Sequence, residues 1–543
     1  MPLYFCSLVF VLLSLSVSAQ SLILEGALRE AQSQKPIPYA SIRIEGKAYG
    51  SVSNAEGQFS LAFPAGILQE EAYLIVSCIG YKSQRLPLQS GRIEIEMQAQ
   101  DYTLATVTIY SIELDARELV RQAFQNILHN YASEDYQWQS FYRHYCQEGE
   151  TYGRLIEAVV ELNNLRGHDR WYRGPDQKLN MRLKQLRRSF DFTRFSAFRH
   201  VPIAINRSLQ GDIVSYHSPI SQHLHSRKLR FQYVDTTFLD QKLVYVVGVR
   251  GRADGQEVEA QLYIQAADFA IIKADHRYTR RWGADSWRYK RVDHYVVDYQ
   301  LFEGRYYLNF VQNEGQYVAQ QRDEKGSVVY SEDHFHRVEM MTQTIRKGAF
   351  ERFRGKEPNA AQMAKIGYEP QFWQQYSVLK ASPLENRIAD DLDHRMPLAQ
   401  QFAGKTLPPQ VQDRLTAQYF QQWLGKQRGR VVIVGFWDSS YDPGIKQILR
   451  ARRLMRQFED TPFSVLLIST DRKEEDWRDA IRKKRLYGLD HLRLGNGLNA
   501  PLCRDLGVEE VPYFVIYGPS GERLIQGAEV PSKTSVEQLL NRD

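Results

Sequence analysis

Residues able to do chemistry are sparse in this chain of 543 residues. Its four cysteines are Cys6, Cys78, Cys146 and Cys503, and no two lie close enough for a CxxC pair or a zinc clip. Disulfide exchange needs two thiols within reach of each other, and a cysteine zinc site needs closely spaced ligands. Both are disfavoured, as is a disulfide-dense scaffold. His336 and Glu339 have the spacing of one zinc-ligand pair, but no HExxH motif accompanies them. That segment reads as a solvated charged strand. Cys78 sits in an apolar run and reads as a small buried hydrophobe. No Ser/His/Asp grouping stands out. The candidate list therefore holds no catalytic residue, no metal and no cofactor.

Charge is equally unspecific. Lys and Arg total 70 against 64 Asp and Glu, a net charge of +6. That bias is too diffuse to argue for nucleic acid. Two basic stretches stand out: Lys178, Arg182, Lys184, Arg187 and Arg188, then Arg277, Arg280, Arg281, Arg288, Lys290 and Arg291. Such stretches could meet an anionic membrane, a glycan or an acidic partner. The neighbouring Asp191, Asp275, Asp285 and Asp293 favour ordinary solvated strand and turn faces instead.

The elements that must carry these residues fall into about three domains, at roughly 100–200 residues each. A composition of 43% hydrophobic and 25% charged residues is ordinary for globular protein. Residues 1–19 form an apolar segment ending in Val17-Ser18-Ala19. It reads as a signal peptide cleaved before Gln20, although no Lys or Arg precedes the apolar run. An N-terminal anchor is the alternative, but the run is shorter than the roughly 20 residues of a span. Cys6 precedes the apolar run, which argues against lipoprotein cleavage. The expectation is an exported protein of the periplasm or outer-membrane periphery. Three cysteines would then remain, an odd number, so at least one is free or pairs with another chain.

Residues 20–110 alternate short apolar runs with turns at Lys35-Pro36, Gly46, Asn54, Glu56-Gly57 and Gly80. Period-two runs such as Ile93-Glu94-Ile95-Glu96-Met97 predict an antiparallel β-sandwich. Gly26, Pro36-Ile37-Pro38-Tyr39-Ala40, Gly50-Ser51-Val52-Ser53-Asn54 and Glu56-Gly57-Gln58-Phe59 resemble the carboxypeptidase-regulatory-like domain, and residues 77–81 and 104–109 extend the match. The resemblance implies a seven-stranded, transthyretin-like fold. It also implies a binding or spacer module of exported Gram-negative bacterial proteins, not peptidase activity.

Residues 111–383 open with Asp115 and Glu118 in capping-box spacing. Leu119, Val120, Ala123, Phe124, Ile127 and Leu128 then recur at helical intervals, predicting a helix over 115–130. Beyond it, runs such as 141–145, 155–162, 243–249, 258–264 and 289–299 predict a large antiparallel sheet, curved or half-barrelled, with one wet face. Ser140-Phe141-Tyr142-Arg143, Glu157-Ala158-Val159 and residues 262–264, 270–272, 370–373 and 376–379 resemble the body found behind regulatory-like domains, a region with no settled activity. A curved sheet could hold a lipid or other apolar ligand.

After Pro383, strand and helix patterns alternate through 384–543. Continuous apolar runs at 431–436 and 463–468 predict buried parallel strands, hence an α/β domain. Residues 431–444, Ser469-Thr470-Asp471 with Trp477, and Val511-Pro512 with 518–521 resemble the thioredoxin fold of the TlpA-like branch. In that family a strand ends in Phe-Trp and a Cys-x-x-Cys motif opens the next helix. The helix N-terminus stabilises the first thiolate, and the second thiol resolves the mixed disulfide. Here Phe436-Trp437-Asp438-Ser439-Ser440-Tyr441-Asp442-Pro443-Gly444 fills that place, with Tyr441 and Gly444 at the two cysteine positions. Pro443 is kept, and Pro512 matches the family's cis-proline. The resemblance thus implies a thioredoxin scaffold without its reacting sulphurs. The leading expectation is a non-catalytic binding protein, gripping a peptide or protein partner in a groove of Trp437, Tyr441, Asp442, Pro443 and Pro512. An oxidoreductase acting through Cys503 or a partner's cysteine is the alternative.

Overall fold

The computed structural model describes residues 21–100, 115–149, 151–164, 180–190, 192, 205–215, 218–284, 287–322, 326–353, 355, 362–363, 365–376, 380–395, 397–403, 408–458, 461–484, 486, 489–527 and 529–541. The signal-peptide assignment, Cys6, residues 104–109, Lys178, Asp191, Asp285 and residues 377–379 lie outside them. Among the described residues, no helix is long and apolar enough to cross a membrane.

The first domain is built of β1 (Ser21–Glu30), β2 (Ser41–Ile44), β3 (Gly50–Val52), β4 (Gln58–Pro64), β5 (Tyr73–Ser77), β6 (Gln84–Pro87) and β7 (Gly91–Met97). They form two sheets, β4-β1-β7 and β3-β2-β5-β6. The predicted alternation is seen in β2, where Ile42 and Ile44 are buried. Between the sheets lie Leu24, Leu28, Ile42, Phe59, Phe63 and Val76. One pairing departs from the antiparallel expectation: β1 runs parallel to β7. The turn before β4 requires glycine, since Gly57 has φ +74° and an added Cβ would lie 2.4 Å from the Leu28 carbonyl oxygen. Asn54 fixes the same turn by accepting from the Glu56 and Gln58 N–H groups at 3.0 and 2.8 Å. Cys78 falls just past β5, half-buried, and burial pushes its thiol up to about 11.

Helix α1 (Ala116–Gln125) starts as the sequence predicts. Asp115 accepts from the Glu118 N–H at 2.8 Å. The reciprocal half of the box is missing, because the Glu118 carboxylate turns forward to Arg121 and Gln122. Asn126 interrupts the helix, and a short second helix over Ile127–Asn130 completes the predicted span with Leu128 exposed on it. Then come β8 (Tyr136–Glu148), β9 (Thr151–Asn164), β10 (Asn180–Arg188), β11 (Leu229–Leu239), β12 (Lys242–Ala253), β13 (Gln256–Gln265), β14 (Ile271–Ala284), β15 (Trp287–Phe302), β16 (Arg305–Arg322) and β17 (Val328–Lys347). They form one antiparallel ten-stranded sheet ordered β10-β9-β8-β17-β16-β15-β14-β13-β12-β11. Its inner face carries a continuous core that runs from Val160 and Leu186 at one edge to Val247 and Leu229 at the other. Leu119, Val120 and Phe124 of α1 pack into it.

The outer face corrects two expectations. It is not wet throughout: near β8, β9 and β17 it is covered. Glu339 is accordingly buried rather than solvated, and His336 is buried on the other side of the sheet. Three apart on one strand, they face opposite sides of the sheet, so they cannot share a ligand. What covers this face is the first domain together with α2 (Pro370–Gln375), α3 (Pro383–Arg395) and α4 (Leu398–Ala403). Tyr39 stacks on Phe310 with ring centroids 5.6 Å apart. Val52 and Trp373 complete an apolar patch with Phe141, Val159 and Met341. Lys380 pairs with Glu25 at 3.0 Å, and its carbonyl accepts from Asn54 Nδ2 at 3.3 Å.

Beneath and beside this cover, charged side chains form a row across seven adjacent strands. Asp275 accepts from His294 at 2.8 Å, and the ring's other nitrogen lies 3.5 Å from Glu314. Glu314 accepts from Arg337 Nε at 2.8 Å. Further along, Arg143 lies 3.8 Å from Glu339 and 2.8 Å from Glu157, which also pairs with Arg187 at 2.5 Å. Arg187 ends the row over the Trp373 ring, at 4.6 Å. Burial works to raise the Glu157 carboxyl, but Arg187 and Arg143 outweigh it and hold it below its usual range. Glu339 has fewer partners, and burial pushes it up to about 7.

The last domain comprises α5 (Pro409–Gly425), β18 (Val431–Trp437), α6 (Asp442–Gln457), β19 (Phe463–Ser469), α7 (Glu474–Lys483), β20 (Asp490–Arg493), α8 (Pro501–Leu506), β21 (Tyr513–Tyr517), β22 (Arg523–Gly527) and α9 (Lys533–Leu540). Its sheet is ordered β20-β19-β18-β21-β22. The strands β18, β19 and β20 run parallel, and β21 and β22 alternate direction. Both predicted apolar runs are buried on both faces. Helices α3 and α4 stand apart from this sheet. Ile388, Leu392 and Leu398 join Tyr145, Leu155 and Phe190 of the middle region, and Leu415 of α5 closes the cluster.

His294 makes the row pH-sensitive. Hydrogen bonds to Asp275 and then Glu314 raise it from 6.5 to about 9. A raised folded-state pKa gives stability that is complete below the unfolded value and lost as pH rises through the folded one. Melting temperature should therefore fall between pH 6.5 and 9, a window set by the two His294 values. His294→Gln should flatten that slope. His144, His276 and His336 do not blur the test, since burial lowers them and they titrate below it. An unchanged slope in the variant would remove His294 from the row.

Candidate functional site

The loop between β18 and α6 carries the residues that the thioredoxin resemblance singles out. Its entry is fixed by Trp437, which is fully buried and packs with Ile445, Ile448 and Trp477 beneath α6. Trp437 is therefore a core residue and cannot touch a ligand, which corrects its place in the expected groove. Strand alternation explains this: Val431, Ile433 and Trp437 face α6, whereas Val432, Val434 and Phe436 face α8.

Asp438 turns the chain by accepting from the Ser440 N–H at 2.9 Å and Oγ at 2.6 Å. Asp471, at the end of β19, pins the loop from behind. It accepts from the Ser439 N–H at 3.1 Å, Ser439 Oγ at 2.5 Å and Ser469 Oγ at 2.6 Å. Burial raises the Asp471 carboxyl despite these bonds. The sequence placed Ser469-Thr470-Asp471 in the family pattern without giving it a task. Its signal was two short hydroxyl and carboxyl side chains directly after an apolar strand.

Tyr441 stands at the N-cap of α6 with 46% of its surface exposed. Asp442 and Pro443 are exposed in the first turn, and Gly444 is buried behind them. Across the loop, the Val511–Pro512 peptide bond is cis. A Cβ built on Gly444 would lie 3.4 Å from Tyr441 Cδ1 and 3.8 Å from Pro512 Cδ. Thus Tyr441, Pro443 and Pro512 come together around Gly444, with Asp442 on the same turn. A cleft of about 550 Å³ lies beside the loop, lined by Asp438, Ser439, Ser440, Asp471 and charged residues of α7.

This arrangement offers hydroxyl, carboxylate and apolar surface but no thiol. Cys503 is fully buried in α8, its Sγ 3.8 Å from the Gly497 carbonyl oxygen, and burial pushes its thiol up to about 12. It packs with Val434 and Phe436, on the sheet face opposite α6, so it does not reach the Tyr441 loop. Cys146 is buried in β8 of the middle region. Among the described residues, no three His, Cys, Asp or Glu side chains are grouped to hold a metal ion.

Comparison with known proteins agrees with these folds. Residues 24–109 match the CarboxypepD_reg-like domain family, and residues 429–523 match a thioredoxin-like family. No curated protein matches the chain. Among solved structures, the chain is similar to the thioredoxin domain of a thiol-disulfide oxidoreductase from Bacteroides vulgatus, at 24% identity over 22% of this chain and 84% of that one, TM-score 0.20. A thiol-disulfide oxidoreductase from Bacteroides fragilis matches at 25% identity over 21% and 80%, TM-score 0.19. A thiol:disulfide interchange protein from a Bacteroides species matches at 24% identity over 22% and 78%, TM-score 0.20.

Two outcomes test the site as built. The contacts at Gly444 are ordinary van der Waals distances, so Tyr441→Cys with Gly444→Cys should fold and close a disulfide detectable by intact mass. Failure of that pair to oxidise would place the two positions out of reach of each other. Asp471→Ala strands the Ser439 and Ser469 hydroxyls and should cost about 1–3 kcal/mol in chemical denaturation. A change below about 0.5 kcal/mol would mean that the loop is held by other means.

Proposed function

We propose that this is a non-catalytic binding protein of the cell envelope, whose thioredoxin-like domain holds an extended peptide or protein segment in the groove between the Tyr441 loop and Pro512. The observation that carries the reading is the pairing of an exposed Tyr441 with a buried Gly444 against Pro512, at the two places where a dithiol would sit. Neither side chain can form a thiolate at any accessible pH. The surface around them is retained and open. By resemblance, thioredoxin folds hold extended peptides through backbone bonds beside this proline, a form of strand addition. Tyr441 adds a large, rigid amphipathic side chain of the kind that anchors binding surfaces. The first domain would act as a spacer or second binding module, and export would place the whole chain in the periplasm or at the outer-membrane periphery.

The oxidoreductase alternative would have to act through Cys503, whose burial and raised pKa oppose thiolate formation. A peptide selected on the full chain should lose at least about tenfold in affinity with Tyr441→Ala or Pro512→Ala, measured by fluorescence anisotropy. The same preparation should show no insulin-reductase turnover. Turnover abolished by Cys503→Ser, or peptide affinity indifferent to both groove variants, would reject the proposal.

A further inference from the structure

The second basic stretch looked self-neutralised in the sequence, with aspartates scattered through it. Strand register separates those charges. Arg280 is opposite Arg291, while Arg281 is opposite Lys290, so neighbours in sequence point to opposite faces. On the inner side, Arg291 is paired with Asp293 at 2.8 Å. Asp275 shares the outer face but is engaged by His294 at 2.8 Å.

The outer face is thereby left strongly cationic over β11 to β15. The pairings Arg230–Arg250–Glu259–Arg277 and Arg252–Glu257–Thr279 run across successive strands. The next positions along β14 and β15 are Arg281 and Lys290. Arg230, Arg250, Arg252, Arg277 and Arg281 are exposed, and Lys290 is half-buried. Of these, only Arg281 has an ion pair among the described residues, to Glu257 at 2.5 Å. These cations outnumber Glu257 and Glu259. They stand on a rigid lattice, about 4.8 Å apart between strands and about 7 Å apart along them.

We infer that this face rests on an anionic lipid surface. The patch spreads over five adjacent strands, so it suits a partner that is itself broad. The exposed side chains of the patch are chiefly guanidinium groups, with Val234 the exposed large apolar residue beside Gly248, not the buried aromatic anchors that centre a protein–protein interface. Arginine's planar fork suits phosphate groups, and clustered basic residues are drawn to anionic headgroups cumulatively. Trp282, the next residue along, pairs with Tyr289 and turns to the inner side with Arg280 and Arg291, so it has no part in this contact. The first domain covers other parts of the outer face, around Phe310 and Met341 and at the Phe238–Asp240 end of β11, and leaves Arg230, Arg250 and Arg277 exposed.

The test is vesicle co-sedimentation with the full chain. One set of vesicles is pure phosphatidylcholine, and the other contains phosphatidylglycerol at about one part in three. Binding should be confined to the anionic vesicles and should weaken steeply with salt, since these charges are solvent-exposed. Exchanging Arg250, Arg252 and Arg277 together for Gln should lower the partition coefficient by more than about tenfold. A charge-matched control, Arg450, Arg453 and Arg456 together exchanged for Gln on the exposed side of α6, should leave it within about twofold. Circular dichroism and melting curves would show that both variants fold. Equal binding to both vesicle types, equal loss in patch and control variants, or retention on dextran sulfate without vesicle binding would each overturn the inference.

Discussion

Arg143 is the charge around which the three parts of the chain are arranged. It lies in the middle of β8, 4% exposed, between Glu157 of β9 and Glu339 of β17. A guanidinium taken from water must be paired on every side or it costs several kcal/mol. Pairing it fixes the register of three adjacent strands, because a one-residue slip would turn its carboxylates to the inner face. Burying it also needs a lid. Tyr39 and Asn54 of the first domain, and Ser382 and Glu385 at the start of α3, close over Arg143 and Glu339 and leave a void of only about 10 Å³. The same few residues therefore seat the sandwich and the helices that lead to the thioredoxin-like domain.

From that junction the structure builds outward by packing. Trp373, Tyr376 and Phe372 of the α2 region fill the space between the sheet and the linker, with rings 4.8–5.7 Å apart. Ile388 and Leu392 of α3 reach Tyr145 and Leu155, and Leu415 of α5 joins them. Phe420 on the same helix packs against Val432 and Val434 of the thioredoxin-like sheet. Helix α5 thus belongs to two cores at once, and it sets where the Tyr441 loop lies relative to the large sheet. The covered and bare zones of the outer face follow from this plan. Zones holding Arg143 and Glu157 are dry, and the zone holding Arg250 and Arg277 is left to solvent or a partner.

Much of this was legible in the sequence where the signal is local. The apolar runs at 431–436 and 463–468 could only be strands buried on both sides. Asp115 could be read as a cap, and the missing cysteines at Tyr441 and Gly444 were visible once the pattern around Pro443 and Pro512 was aligned. What was illegible depends on what lies opposite. Glu339 and Arg277 are both charged residues on alternating strands, and nothing in their own segments tells that one is covered by Tyr39 and Ser382 while the other is bare. Trp437 looked like groove lining because it adjoins the loop, yet strand parity turns it beneath α6. Asp471 needed Ser439 across the sheet before its role could be seen.

The central claim is that the buried row through Arg143 couples the first domain, the large sheet and the linker helices. Differential scanning calorimetry of the full chain against Arg143→Met tests it most directly. Removing one partner of a buried ion pair strands the other charges and should cost about 3–5 kcal/mol. The account expects the transition of the sheet and first domain to drop sharply or split in the variant, while that of the thioredoxin-like domain holds its temperature. A variant whose transitions coincide with those of the unsubstituted chain would contradict it.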